Sequence, residues 1–308
     1  MRSKNKNRNI IVLLVLVLLM TSCAKNLKND KGKPVRNPKT GQNMVENIIC
    51  QPENKDVRKL YEDNKVDLNK LPKCNQFKPG SGAYEGLFNS ILVKPLAYII
   101  IKIAGLVNNY GLSIIIVTIL VRLLLVPLMT KQLKQSEQMK HIQPDIKKIE
   151  KKYENKKDQE SLMKKSMEIN ELYRKYNFNP FTSFLSSILS LVILLSFYEA
   201  ILRIPAIYED PFLVFDLASS AFVGLKLHNY WYIILIILNG LITYFSMKKN
   251  EEMNPMPYPG MNIMMTTMLI FVSFMVPTAV LLYWITQNIF NLIQTYIISS
   301  REVKHGNL

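Results

Sequence analysis

The apolar residues of this chain are gathered into long blocks, and polar, lysine-rich segments separate the blocks. The longest block covers residues 261–298 and contains no charged residue over 38 positions. A helix of about 20 apolar residues is ~30 Å long and matches the hydrocarbon core of a bilayer, so this block is long enough for two spans. Only 49% of the 308 residues are apolar, and it is therefore their clustering that predicts an all-α integral membrane protein.

The N-terminus has the layout of a lipoprotein signal peptide over residues 1–22. Basic residues precede an apolar run over residues 10–20, which is too short for a span and typical of a signal sequence. Cys23 follows small residues as in a bacterial lipobox, although Met20 and Ser22 depart from the usual residues. We expect cleavage before Cys23 and attachment of a palmitate-bearing lipid to its thiol. The alternative is an uncleaved signal anchor with a free cysteine.

Residues 23–83 are rich in Lys, Asn and Pro and show little periodicity. This composition is typical of disordered chain, and it predicts a largely disordered, lipid-anchored tether outside the cytoplasm. Cys50 and Cys74 lie in this tether, where a disulfide and two free thiols are both compatible with the sequence.

Residues 84–108 are apolar but carry Lys94, Tyr98 and Lys102 at intervals of four residues. One polar edge on an otherwise apolar helix predicts an amphipathic helix that lies in the membrane interface. Asn108 and the residue after it are expected to end this helix.

The apolar blocks in residues 109–300 are long enough to cross a membrane, and they predict a core of five membrane spans. The spans cover residues 111–130, 181–201, 231–247, 261–277 and 279–298. Lys131 and Lys248 directly follow the first and third spans, and lysine marks the cytoplasmic end of a span. The predicted topology places the N-terminus outside and the short tail, residues 301–308, in the cytoplasm.

A soluble segment, residues 131–178, separates the first two spans. Residues 131–175 contain 13 Lys or Arg against 8 Asp or Glu. Both halves carry apolar stripes at helical spacing, and the polar residues 155–158 separate the halves. This pattern predicts an antiparallel helical hairpin in the cytoplasm. Pro144 is expected near the start of a helix, where its missing N–H costs least.

Arg122 is the residue that is least expected in a membrane-spanning helix. It is the twelfth residue of the first span, which places it ~13 Å from the cytoplasmic end of that span. A charge left in lipid at such a depth costs at least ~2.5–3.5 kcal/mol. Glu199 and Glu209 fall near the outer surface, so no carboxylate deep in a predicted span can pair with Arg122. We therefore expect a water-filled groove around it.

Polar residues on other spans are expected to line this groove, since several follow helical spacing on one face. The predicted groove residues are Arg122, Thr118, Ser183, Ser187, Ser190, Trp284, Gln287, Asn288, Asn291 and Gln294. A single hydroxyl in a span more often packs helices or bonds its own backbone. It is the whole set, with the arginine, that favours a groove.

The sequence contains no motif for catalysis or for a cofactor. Its three histidines have no metal-ligand spacing, and no phosphate-binding glycine loop or nucleophile motif is present. We expect a protein that is not an enzyme, with no catalytic residue, metal or cofactor. Much of the net charge of +16 lies beside the spans, so membrane topology explains it better than nucleic-acid binding.

Five separated motifs resemble those of the YidC-type membrane protein insertases, in the family's order over residues 84–298. They are YGLSIIIVTILVRLLLVPLMTKQLK followed by HIQPDIKKIEKKY, then YNFNP, FLVFDLAS and VPTAVLLYWITQNIFNLIQTYI. The lipobox and the five spans resemble the Gram-positive form, in the bacterial plasma membrane. Ser186, Ser190, Val192 and Ala279 depart from residues usual in the family, and these departures bear on groove polarity and substrate preference.

The resemblance implies a groove that is open to the cytoplasm and to lipid and closed outside. Arg122 matches the family's groove arginine, which attracts acidic residues of a small membrane protein during insertion. The implied partners are nascent membrane proteins and membrane lipids, with a Sec translocon and ribosomes as further candidates. The tail lacks a long basic extension, so strong ribosome binding is not expected.

Two other functions are compatible with parts of the pattern. A secondary transporter or channel for an anionic solute would use Arg122 for binding, but it predicts repeats, broken helices or a second intramembrane ionisable group. A lipoprotein scaffold would recruit partners through the hairpin and would tolerate substitutions in the groove.

Overall fold

The structure is a computed structural model that describes residues 24–156, 158–253 and 261–305. These residues are mostly helical and fall into two compact units. Unit 1 contains Met1–Leu120, Val192–Gly240 and Ile270–Gln287, and unit 2 contains Val121–Leu191, Leu241–Leu269 and Asn288–Leu308. Cys23 and the predicted signal peptide lie outside the described residues.

The first part of unit 1 is a small folded domain. Its helix α1, Lys55–Asp63, begins after Asn54, whose side chain accepts hydrogen bonds from two backbone N–H groups of the first turn. Cys50 and Cys74 form a disulfide. A cluster of buried apolar side chains forms the core: Leu27, Met44, Val45, Ile48, Val57, Tyr61 and Leu68.

The prediction of a largely disordered tether over residues 23–83 is therefore wrong for the residues from 24 onward. Their apolar side chains have no regular period because turns and isolated bridges, such as Asn26 with Val45, bring them together. Periodicity detects long helices and strands and does not detect a core of this kind.

The segment predicted as an interfacial helix begins with a π-helical turn, Asn89–Val93, and continues as α2, Lys94–Val107. Helix α2 ends as predicted at Asn108, which has a left-handed φ of 51°. By length and composition Asn89–Val107 is apolar enough to cross a membrane.

Lys94 does not belong to a solvent-facing polar edge. Its buried ammonium donates hydrogen bonds to the carbonyl oxygens of Ser81 and Ala83, at 2.8 and 2.9 Å. The charge is thus satisfied by the preceding loop, which is how a lysine stays buried. Lys102 is exposed, as the predicted edge requires.

Helix α3, Tyr110–Lys152, is 43 residues long and contains Pro127 and Pro144. The first predicted span and the first arm of the hairpin are consequently one helix. The predicted helix start near Pro144 is wrong, because the helix continues through this proline. A proline removes one N–H from the helical ladder, and a long helix can tolerate that loss.

Helix α4, Gln159–Lys175, is the second arm of the predicted hairpin. The two arms are joined by Glu168, whose carboxylate pairs with the Lys152 ammonium at 2.6 Å and accepts from the Tyr153 hydroxyl at 2.8 Å. A small apolar cluster lies at the other end of the pair: Ile142, Ile146 and Phe178, with Met139, Leu172 and Tyr173. These contacts make the arms antiparallel.

Helix α5, Pro180–Arg203, ends at an arginine that is completely buried. The Arg203 guanidinium forms an ion pair with Glu85 at 2.6 Å and donates to Asn89 Oδ1 at 3.1 Å. Its Nε donates to the backbone oxygen of Asn47 at 2.7 Å. Arg203 therefore joins the small domain and the segment before α2 to the end of α5.

Beyond α5 the chain forms a short hairpin of β1, Pro211–Phe212, and β2, Phe215–Asp216, and then α6, Ala221–Lys226. The ring of Phe212 lies against Gly111 so closely that any side chain there would collide with it.

The remaining helices are α7, Trp231–Met253, α8, Met261–Ser273, and α9, Thr278–His305. Pro277 separates the last two, as predicted. Each predicted span falls on a helix. Among the described residues three helices are long and apolar enough to cross a membrane: Asn89–Val107, Tyr110–Gln132 and Trp231–Lys249.

Candidate functional site

Arg122 is buried in unit 2, with 2% of its surface exposed. Its Nη1 donates to Oδ1 of Asn291 on α9 at 3.4 Å and to Sδ of Met129 at 3.2 Å. Met129 lies two helical turns further along α3, and residues seven positions apart share a helix face. Both of these acceptors are neutral groups, and they orient the guanidinium.

Helix α9 presents polar side chains on the face that contains Asn291. Asn288 is buried, and its Nδ2 donates to Oγ1 of Thr243 on α7 at 3.4 Å. Gln294 and Thr295 are also buried. In unit 2 this face of α9 is therefore in polar contact with both α3 and α7.

Two buried polar atoms of unit 2, Thr266 Oγ1 and Gln294 Nε2, have no hydrogen-bond partner within the described part of the chain. A buried polar group without a partner costs free energy, so such groups are normally satisfied by water or by a ligand. The interior of unit 2 thus has unused hydrogen-bonding capacity on α8, at Thr266, and on α9, at Gln294.

The sequence prediction of groove residues has a mixed outcome. Arg122 and Asn291 are in direct contact, as a shared site requires. Ser190 is half-buried in unit 2, while the side chains of Ser183 and Ser187 fall outside what the structure describes.

Three predicted groove residues belong to unit 1. Thr118 is buried, and its hydroxyl donates to the carbonyl oxygen of Ile114 at 2.6 Å, which is the ordinary use of a threonine within a helix. Trp284 and Gln287 are half-buried.

The prediction missed Thr243, the partner of Asn288. Thr243 and Ser246 are both buried and lie three residues apart on α7. This spacing is the signal that identified the serines of the second span, and it was available in the third span as well.

The described residues contain no group of three or more His, Cys, Asp or Glu side chains that could hold a metal ion. The groups that the structure places around Arg122 are a guanidinium, amides and a thioether, and these groups offer electrostatic attraction and hydrogen bonding. Such a site can attract and orient an anionic or polar chain.

Comparison with known proteins identifies the family. Residues 102–305 match the family described as 60Kd inner membrane protein. The chain is 39% identical over 240 residues to the membrane protein insertase YidC of Oceanobacillus iheyensis. The aligned residues cover 74% of this chain and 90% of that protein. The chain belongs to the YidC family of membrane protein insertases. It is accordingly a multi-pass all-α membrane protein with insertase function, and the family and function predicted from the motifs are confirmed.

Two other relatives show the same range of similarity. The membrane protein insertase MisCA of Bacillus subtilis is 37% identical over 239 residues, which are 76% of this chain and 88% of that protein. The membrane protein insertase YidC 2 of Listeria innocua is 36% identical over 224 residues, which are 70% of this chain and 73% of that protein. Membership of the YidC family also supports the prediction that the chain is not an enzyme.

Proposed function

We propose that this insertase admits the polar end of a small membrane protein into a hydrated groove in unit 2, with Arg122 at its centre. One observation carries the proposal: a permanently charged side chain is 2% exposed in an apolar helix and bonds to the neutral groups of Asn291 and Met129. The cost of burying that charge is at least ~2.5–3.5 kcal/mol in lipid. Water and an acidic substrate residue would both reduce it.

The polar atoms without protein partners support the same proposal. Thr266 Oγ1 and Gln294 Nε2 can bond water in the resting protein and the backbone of a substrate during insertion. Hydrated walls shorten the distance that the polar end of the substrate crosses without water. Its apolar segment then passes into lipid along α5 and α9.

The proposed topology has five spans, on α3, α5, α7, α8 and α9, with α2 in the outer interface. The small domain lies outside, where the Cys50–Cys74 disulfide persists. The basic hairpin lies in the cytoplasm, where it receives substrate, and the short tail lies on the same side.

The N-terminus is proposed to be lipid-anchored through Cys23. In this step the thiol loses its proton and a thioether bond forms to a diacylglyceryl group from a membrane phospholipid, whose headgroup leaves. Water then cleaves the bond between Ser22 and Cys23 and frees the α-amino group of Cys23. The substrates are nascent membrane proteins, and the insertase acts alone or with the Sec translocon.

Insertion into liposomes tests the role of Arg122. A single-span substrate with an acidic N-terminus is synthesised beside liposomes that hold wild type, Arg122→Lys or Arg122→Gln, and protease protection reports insertion. Because an opposite charge in the groove stabilises the acidic end, we expect about a tenfold loss in Arg122→Gln and partial retention in Arg122→Lys.

A substrate with a neutral N-terminus is the matched control, and its insertion by Arg122→Gln should be nearly the same as its insertion by wild type. Equal losses for both substrates would show that the variant damages the protein as a whole. Equal insertion of the acidic substrate by all three proteins would remove Arg122 from the mechanism.

A further inference from the structure

Unit 1 contains a pocket of about 1070 Å³ beside Ala24, the first described residue, and we call it the Ala24 pocket. Its volume is slightly above the usual range for ligand sites, about 300–1,000 Å³. The walls come from the small domain, the outer end of α5, α6 and the turn before α9. Apolar side chains dominate them, including Leu195, Leu202, Val223, Phe274, Met275 and Val276.

Glu199 is the charged group on the α5 wall of this pocket, and it is buried with 5% of its surface exposed. Its Oε1 accepts a hydrogen bond from the backbone N–H of Ala24 at 2.8 Å. Its Oε2 has no donor among the residues that the structure describes. Arg203, one turn further along α5, donates to Glu85 and Asn89 instead.

A buried carboxylate oxygen without a donor is unfavourable, and a cationic donor is the group that satisfies it best. The α-amino group of Cys23 is one residue from the N–H that Glu199 already binds, so covalent geometry keeps it within about 4 Å of that nitrogen. The lipid on the Cys23 thiol starts from the residue bonded to Ala24, and Ala24 lines the apolar pocket.

We propose that the Ala24 pocket holds an acyl chain of the lipid on Cys23, while Glu199 Oε2 binds the α-amino group that signal cleavage frees. This inference rests on the lipid anchoring proposed above. The lipid is then a structural part of the outer face: it fixes residues 24–45 against the end of α5.

The anchor itself is tested first. The full-length protein is produced in a bacterial host that processes lipoproteins and is fed a photoreactive diazirine fatty acid, and mass spectrometry identifies the N-terminal peptide. A diacylglyceryl group on a cleaved Cys23 is expected. A free Cys23 or a retained signal peptide would overturn the anchor and this inference together, whereas insertion in liposomes would stand independently.

Irradiation of the membranes then locates the acyl chains. Cross-links from the Cys23 lipid to Leu202, Val223 and Phe274 should exceed those to the exposed apolar residues Ile237 and Phe245 several-fold. Val276→Trp, which fills the pocket, should reduce them, and Val214→Trp on the exposed loop should not. Even labelling of pocket and control residues would overturn the proposal. So would equal labelling of the pocket by a photoreactive phospholipid in Cys23→Ala, which would identify a membrane phospholipid as the occupant.

Hydrogen exchange of residues 24–45 tests Glu199. Glu199→Gln keeps an acceptor for the N–H of Ala24 but turns a donor towards the α-amino group, so exchange should become several-fold faster, while Glu46→Gln on the exposed surface should match wild type. In a Cys23→Ala background, where no lipid is attached and no amine is freed, Glu199→Gln should add nothing. An equal effect in both backgrounds would reduce Glu199 to its bond with Ala24 and overturn its proposed role.

Discussion

Arg203 and Arg122 are both buried, but they bond to different kinds of groups. Arg203 faces the carboxylate of Glu85 and two further oxygens, so its charge is compensated within unit 1. Arg122 bonds to the neutral Asn291 and Met129. The first arrangement is that of a structural arginine, and the second is the setting in which we propose that Arg122 attracts a substrate.

Loss of Arg203 should therefore destabilise unit 1. Arg203→Met leaves Glu85, Asn89 and a backbone carbonyl without their donor, and removing one member of a buried ion pair costs about 3 kcal/mol or more. Thermal unfolding in detergent, with the disulfide intact, measures the effect. Lys39→Ala is the control. The Lys39 ammonium lies 2.7 Å from the Asp56 carboxylate, but both side chains are exposed, so this ion pair should contribute little to stability. Similar shifts in the two variants would contradict the structural role of Arg203.

The different roles of these two arginines could be predicted from the sequence only in part. Arg122 stands out because it interrupts a long apolar run. Arg203 lies at the end of a span, where a cation is ordinary, and its partner Glu85 is 118 residues away in sequence. Local spacing cannot predict such a pair. Thr243 was missed for a different reason: it lies at helical spacing from Ser246, but two hydroxyls in one span usually pack helices or bond their own backbone.

At the scale of elements, the helical hairpin formed by the second part of α3 and α4 follows from two apolar stripes and a polar turn. The stripes predicted the arms correctly, but they did not predict that the first arm continues the first span through Pro144. A proline marks a helix start in one context and a kink in another, and local sequence does not distinguish the two.

The hairpin should lose stability in acid. Hydrogen bonds from Lys152 and Tyr153 lower the pKa of Glu168 from its ordinary value of 4.5, and bonds from Lys148 and Tyr176 lower the pKa of Asp145 from 3.8. A lowered carboxylate pKa contributes stability that is present above the ordinary value and is lost as the pH falls through the lowered one.

Hydrogen exchange of the hairpin amides, corrected for the intrinsic effect of pH, measures this loss. Protection should be constant near neutral pH and should fall below about pH 4. Glu168→Gln should weaken the dependence, and Glu171→Gln on the exposed side of α4 should preserve it. Protection that stays constant down to pH 3 would show that the ion pairs do not hold the arms together.

For the whole molecule, the family motifs predicted the core, and they did not predict the small domain in residues 24–83. The family match covers residues 102–305, so it does not include the domain. The cores of short domains depend on turns and crosslinks, and the spacing of apolar residues in the sequence does not predict either of them well. The choice between a disulfide and two free thiols was open for the same reason.

The Cys50–Cys74 disulfide should contribute most of the stability of that domain. It closes a loop with a sequence separation of 24, and crosslinking a loop of this length contributes about 3 kcal/mol in the chain-entropy account. Reduction should increase hydrogen exchange over residues 24–83 and leave exchange in the hairpin unchanged. A Cys50→Ser/Cys74→Ser variant should match the reduced protein and should not respond to reductant. Unchanged exchange after verified reduction would contradict the prediction.

The central claim is that polar residues around Arg122 face water within the membrane. Cysteines introduced singly at Asn291 and Ile293 test it, because these neighbours on α9 lie on different faces. Ile293 is 54% exposed at the surface of the protein, so in plain water a cysteine at Ile293 would react faster than a cysteine at Asn291. In a membrane lipid covers that face.

The measurement is the rate at which a membrane-impermeant maleimide labels each cysteine from the cytoplasmic side of vesicles, with the modified site mapped by mass spectrometry. The hydrated groove predicts fast labelling of Asn291→Cys, slow labelling of Ile293→Cys, and slower labelling of Asn291→Cys when an acidic substrate is bound. Slow labelling at both positions, or faster labelling of Ile293→Cys, would contradict the account.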